Sequence, residues 1–315
     1  MSGTTAVEAG TEGDVPEGAG PGDHSGRGVR SDAPAALAPG EDAVPGVKHR
    51  ERVAGTTAGQ VEELALWRRA VAEGLGTCLL VTVVVGSGIM AQQLSDDVGL
   101  QLLENSLATT LGLAVLIAVL GPVSGAHLNP VVTLVDWFTG RGAASRTDSG
   151  NDPRTTPRKG GGTEDARPPG RLAVVGTYVA AQIAGGIAGA VLANAMFVAP
   201  TALATTDRAT APHLLAEVVA TAGLVLVVLG LLRSGREAWV PAAVGSYIGA
   251  AYWFTSSTSF ANPAVTVGRM FSDTFAGIAP GSVLPFVAAQ LVGGALAVGL
   301  AAVLFPRARQ EQLPA

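Results

Sequence analysis

Six stretches of this chain are long and continuously apolar: Ala70 to Leu94, Leu107 to Val123, Leu172 to Ala199, Leu214 to Leu232, Ala238 to Phe254 and Val283 to Phe305. Each comes near the roughly 20 residues a helix needs to cross ~30 Å of hydrocarbon, two of them on the short side. In lipid the backbone must satisfy its own hydrogen bonds, which leaves helices and closed barrels. Barrel strands alternate in hydropathy, and these stretches do not. The prediction is an all-α membrane protein with six spanning helices. The charged fraction of 14% agrees, since ordinary soluble domains carry roughly 25%.

Residues 1–60 contain no Trp, Phe or Tyr and a single Leu. They cannot bury enough apolar surface to offset their ordering entropy, so a disordered tail is expected. The Gly-, Pro- and Arg-rich run 141–170 is expected to be a disordered loop, and 307–315 a second tail. The membrane domain is then 65–306. With the N-terminus cytoplasmic, the inside segments hold 18 of the 20 Lys and Arg, leaving only Arg208 and Arg269 outside. That is the asymmetry of the positive-inside rule, and it puts both termini in the cytoplasm of a cell with this protein in its inner (plasma) membrane. Trp67 and Trp239 fall at the inner helix ends, where indoles favour the interface. The single Cys78 excludes an intrachain disulfide. No His, Cys or carboxylate spacing suggests a metal or a cofactor. A net charge of −5 argues against a nucleic-acid partner.

The two halves of the chain repeat. Ala72-Glu73-Gly74-Leu75-Gly76-Thr77 pairs with Ala216-Glu217-Val218-Val219-Ala220-Thr221. Leu128-Asn129-Pro130-Val131-Val132-Thr133 pairs with Ala261-Asn262-Pro263-Ala264-Val265-Thr266, and Gln182-Ile183-Ala184-Gly185-Gly186 with Gln290-Leu291-Val292-Gly293-Gly294. Three helices per half make the second half enter the membrane inverted, and inverted repeats place a solute path near the midplane. Each Asn-Pro begins an apolar run too short to span. Asn as N-cap and Pro at the first helical position suit a helix start. Two re-entrant half-helices, Val131–Thr139 and Ala264–Phe271, are therefore expected to meet at mid-membrane. Irregular backbone at that depth is tolerated where it lines a cavity or is buried in protein.

Glu73, Ser124-Gly125-Ala126-His127-Leu128-Asn129-Pro130, Gln182, Glu217, Asn262-Pro263-Ala264 and Gln290 together resemble the aquaporin and glycerol-facilitator, or major intrinsic protein, family over about Ala70 to Phe305. The resemblance implies an aquaporin-like channel domain: six tilted helices in an inverted 3+3 repeat, two half-helices, a pore in each subunit and a homotetramer. It implies that Asn129, Pro130, Val131 and Asn262, Pro263, Ala264 form the pore centre, where both half-helix N-termini oppose cations. It also makes Glu73, Glu217, Gln182 and Gln290 braces of the re-entrant loops. Val131 stands where the family usually has Ala, and its extra methyls are expected to narrow the junction. His127 either lines the inner vestibule or packs as a hydrogen-bonded ring.

By ungapped offsets, the family's outer constriction falls on Thr109, Ala250, Ser259 and Val265. The last is normally Arg, so a wider, less polar mouth is expected. Arg269, one turn on, is expected to face the outer vestibule and not to substitute. The runs Val85-Gly86-Ser87-Gly88-Ile89-Met90-Ala91 and Thr258-Ser259-Phe260-Ala261 are similar to family members associated with arsenic resistance. The implied function is a passive channel for arsenous acid or glycerol-like polyols, with water. A strict water channel is the alternative. An ion-coupled transporter would need acidic residues beyond Glu73 and Glu217 in the spans. An enzyme would need a nucleophile with an identifiable base.

Overall fold

The computed structural model describes residues 64–140 and 170–305. The tails expected over 1–60 and 307–315 and the loop over 141–170 lie outside the described residues, Gly170 excepted. Eight α-helices form among the described residues: α1 (Leu66–Leu94), α2 (Val98–Ser124), α3 (Pro130–Thr139), α4 (Arg171–Met196), α5 (Ala211–Arg233), α6 (Val240–Phe254), α7 (Pro263–Arg269) and α8 (Pro280–Leu304). A 3-10 turn, Glu237–Trp239, precedes α6.

Five of these (α1, α2, α4, α5 and α8) are long and apolar enough to cross a membrane. The sixth expected span, Ala238–Phe254, is α-helical over only 15 residues, about 22 Å of rise. Pro241 lies at its start, and the extended backbone of Thr255 ends it. Conversely, α2 begins nine residues before the apolar run that announced it. The Asp97 side chain caps it by accepting from Leu100 N–H at 2.9 Å. Its first turns carry Gln101, Glu104 and Asn105, which interrupt the hydropathy without interrupting the helix. Asn105 is buried and donates from Nδ2 to the Val84 carbonyl (2.8 Å) and Ser87 Oγ (2.8 Å) of α1.

The helix pairings repeat between halves. α1 packs on α2 and α4, as α5 packs on α6 and α8, and α2 meets α6 across the middle. The short α3 touches α4 and α8; the short α7 touches α1, α4 and α8. Close approach depends on two glycines in particular. A Cβ at Gly186 would lie 2.5 Å from the Ala264 carbonyl, and one at Gly294 2.5 Å from Val131 Cγ1. The surface is apolar where a soluble protein's would be polar: Leu103, Leu107, Leu111, Val115 and Val119 make an exposed stripe along α2. Glu73, Gln182, Glu217 and Gln290 are completely buried instead. An apolar exterior around a polar interior is the arrangement lipid demands.

Candidate functional site: a lumen between two half-helices

The segments leading into α3 and α7 hold an uncommon backbone. Ala126 and Leu128 have φ of 44° and 49°, and Ser259 and Ala261, at the matching places, 51° and 47°. A non-glycine residue in this left-handed region costs about 1–3 kcal/mol and persists only where its surroundings over-determine it. Here the buried carboxylates do so. Glu73 Oε1 accepts from Ser124 Oγ (2.6 Å) and His127 N–H (3.0 Å), and Oε2 from Leu128 N–H (2.7 Å) and Gln182 Nε2 (2.8 Å). Glu217 Oε1 accepts from Phe260 N–H (2.9 Å), and Oε2 from Ala261 N–H (2.8 Å) and Gln290 Nε2 (2.7 Å). Each glutamine also donates to a half-helix threonine, Gln182 to Thr133 Oγ1 (3.0 Å) and Gln290 to Thr266 Oγ1 (2.9 Å). A buried charge is tolerable when fully hydrogen-bonded, and these two are.

At the centre the asparagines link the halves. Asn129 Nδ2 donates to the Ala261 carbonyl at 2.8 Å, and Asn262 Nδ2 to the Leu128 carbonyl at 2.7 Å. Asn129 Oδ1 caps α3 through Val131 N–H (2.9 Å), while Asn262 Oδ1 caps α7 through Ala264 N–H (2.9 Å) and Val265 N–H (3.3 Å). Each amide group has two N–H donors, so one on each asparagine remains for whatever occupies the space between them. The proline that follows each sits at the first helical position, where no N–H is needed.

Both asparagines line a cavity of about 1070 Å³. Its lining combines the polar Asn129 and Asn262 and the loop residues Leu128 and Ala261 with the apolar Leu80, Val84, Leu113, Val244 and Ile248. Arg69, Asp136, Arg171 and Glu237 stand at one end. His127 is nearby, both lining the cavity and packed: its Nδ1 lies 3.1 Å from Thr133 Oγ1, and its ring sits edge-on to Tyr178 at 5.6 Å. At the other end are Thr109, Tyr252, Ser259, Phe260, Val265 and Arg269. Thr109 Oγ1 and Tyr252 Oη are 3.1 Å apart.

Three sequence-based placements change. Ala250 is exposed and is not on the cavity wall. The wall of α6 is formed at Val240, Val244, Ile248 and Tyr252, a four-residue rhythm that puts position 250 about 200° round from 248. Val131 does not narrow the junction either: its Cγ1 points into the space left by Gly294 of α8, and Val131 is not among the residues lining the cavity. Arg269 is not in an open vestibule: it is only 2% exposed and stands on the cavity wall. The reason is local. α7 stops at Arg269 instead of running to Phe271, and the returning chain covers the side chain. Its Nε–H donates to the Ala276 carbonyl, and its guanidinium lies 3.5 Å from the Phe260 ring centroid. Thr109, Ser259 and Val265 do stand on the wall, and Tyr252, Ile248 and Phe260 join them unforeseen. Four-residue spacing from Val244 would have found the first two; Phe260 gives no signal beyond its place before Asn262.

Behind Phe260, Arg208 donates from Nε to the Gly277 carbonyl (2.8 Å) and from Nη2 to the Phe275 carbonyl (3.0 Å), and its guanidinium lies 5.5 Å from the same ring. Burial pushes this guanidinium below its ordinary value, with Glu217 opposing the shift. No group of three or more His, Cys, Asp or Glu among the described residues could hold a metal.

The family model of the major intrinsic proteins matches residues 60–147. An aquaglyceroporin of Rhizobium meliloti (strain 1021), AqpS, is 46% identical over 250 residues, which cover 79% of this chain and 95% of that protein. The chain belongs to the major intrinsic protein family. As a major intrinsic protein it is a membrane channel for small neutral solutes, not an enzyme. Its fold also matches the X-ray structure of the aquaglyceroporin from Plasmodium falciparum, with a TM-score of 0.51 at 20% identity, over 75% of this chain and 95% of that one. That likeness concerns the helical scaffold. The inverted arrangement of this major intrinsic protein accounts for the matched carboxylate and glutamine braces of its two halves.

Proposed function

We propose that this channel conducts small uncharged hydroxylated solutes, glycerol-like polyols and arsenous acid, together with water, down their gradients and in either direction. The observation that carries the reading is the mixed lining of the lumen, apolar side chains together with asparagine donors. Asparagine donors suit the hydroxyl groups of such a solute, and Leu80, Val84, Leu113, Val244 and Ile248 suit its carbon skeleton. The R. meliloti relative is described as an aquaglyceroporin, which supports the same solute class. The N-termini of α3 and α7 meet at Asn129 and Asn262, so a cation at the junction faces two positive dipole ends without its hydration shell.

We further propose that Glu73, Glu217, Gln182 and Gln290 hold the loops, that Asn129 and Asn262 orient the solute, and that Thr109, Ser259 and Val265 belong to the outer constriction. The protein acts as a homotetramer in the inner (plasma) membrane, with both termini cytoplasmic. The distribution of Lys and Arg supports that orientation. Val265→Arg in reconstituted vesicles tests the constriction. It is expected to reduce glycerol and arsenous acid passage more than water, because it adds bulk and charge to the cavity wall at Val265. Equal or absent changes in all three fluxes would remove Val265 from the path.

A further inference from the structure

Val265 leaves the first turn of α7 without a charge, but the constriction is not without one. Arg269 follows at i+4 on the same helix face and shares the cavity wall with Val265. Its bond to the Ala276 carbonyl and its stacking on Phe260 hold the guanidinium in place. They use one of its five N–H donors. Nη1 and Nη2 donate to no described residue, and no described carboxylate forms an ion pair with it. Glu217, whose field reaches Arg269, has both oxygens occupied by Phe260, Ala261 and Gln290. Arg208 adds a second positive charge on the same ring. A buried cation so placed is costly unless its free edge meets water or a ligand, and the lumen offers both. An independent feature points to the same spot: Ser259 Oγ, on the cavity wall and buried, has no hydrogen-bond partner among the described residues.

We propose that Arg269 is the specificity-determining residue of the outer constriction. It supplies, one turn beyond Val265, the positive charge and the donors that take an oxygen of a small uncharged hydroxylated solute, with Ser259 Oγ as the second polar contact. A structural brace would need the Nε bond and the stacking alone; the unpaired Nη edge on the wall is what a solute contact requires. The inference rests on the neutral-solute reading above, and its test separates the two.

The full chain is reconstituted in vesicles, and glycerol and water permeabilities are compared. Arg269→Met, which keeps length but neither charge nor donors, is expected to lower glycerol relative to water by about tenfold, the size of one lost charged hydrogen bond. Arg269→Lys keeps the charge but not the Ala276 bond, and is expected to retain most of the glycerol flux. Ser259→Ala, which breaks no side-chain bond, is expected to lower glycerol with a smaller effect. Arg269→Cys in a Cys78→Ser parent is expected to lose glycerol as the Met variant does and to regain it on reaction with 2-aminoethyl methanethiosulfonate, which restores a positive charge, the parent being unaffected. Lys and Met variants failing alike, or a Cys variant whose thiol the cationic reagent modifies without restoring glycerol flux, would make Arg269 a brace and overturn the proposal. If Arg269→Met does not fold, the Lys variant and the thiol reaction decide. Wild-type vesicles that pass no glycerol would overturn the neutral-solute reading itself, and this inference with it.

Discussion

Two methyl groups distinguish Val131 from Ala264, its counterpart in the second half, and their destination decides their role. One of them, Cγ1, lies against Gly294, and Val131 does not line the cavity. Val131→Ala should therefore leave flux unchanged and cost about 1–2 kcal/mol through the cavity left beside Gly294. Flux assays and thermal unfolding on the same preparation check this, and a rise in flux without loss of stability would put the side chain in the path. A larger loss is expected at Glu217. Glu217→Gln replaces an acceptor with a donor facing Phe260 N–H or Ala261 N–H, costing about 1–3 kcal/mol. The melting temperature in detergent should fall, and an unchanged one would mean that the carboxylate does not hold the left-handed loop. At this scale the sequence was legible wherever a residue type had one physical use. Asn before Pro, repeated in both halves, suited an N-cap, and both asparagines cap; the hydrogen-bonding place of Glu73 and Glu217 was reached through the family resemblance. It was not legible where an answer depends on helix phase or on chain return. Ala250 and Val131 were counted by offset, although neighbours on α6 and α8 set which way each faces. The covering of Arg269 required knowing that α7 ends there.

Among the elements, the half-helices stand or fall with their contact to α4 and α8. Gly186→Val would push side-chain atoms into the Ala264 carbonyl of α7. We expect no folded, conducting protein from it; a variant with normal melting and flux would contradict the close packing. The segment between α4 and α5 is tied to the start of α8 by Asp207. The Ser282 hydroxyl at 2.6 Å, and then the Ala209 N–H at 3.0 Å, hold its carboxyl below the usual carboxylate range. A lowered folded value stabilises above the unfolded pKa, about 3.9, and that stabilisation is lost as pH falls through the folded value. Asp207→Asn should thus melt below wild type at pH 7, with the gap closing in acid. A gap independent of pH would refute the tie. The spans themselves were readable from hydropathy, but their ends were not. Gln101 and Asn105 at the start of α2 donate to the Ser95 and Val84 carbonyls and so do not break the helix. The short α6 stops where the extended chain must turn back to deliver the Asn262 loop.

For the whole molecule, the inverted repeat is the organising fact, since it brings two helix N-termini and two asparagines to one point from opposite sides. A pore so built has no intrinsic direction. Deletion of residues 1–60 is expected to leave permeation intact, because the repeated motifs that build the path, from Glu73 to Gln290, all lie beyond that segment; normal insertion with a large loss of flux would make the tail a gate. The central claim, a passive path for neutral hydroxylated solutes, is tested most directly by measuring water, glycerol and arsenous acid permeability side by side in vesicles. The measurement is made in both directions, with and without ion gradients or a membrane potential. All three should pass at rates equal in the two directions and indifferent to gradient and voltage; dependence on a proton or sodium gradient, or water passing alone, would contradict the account.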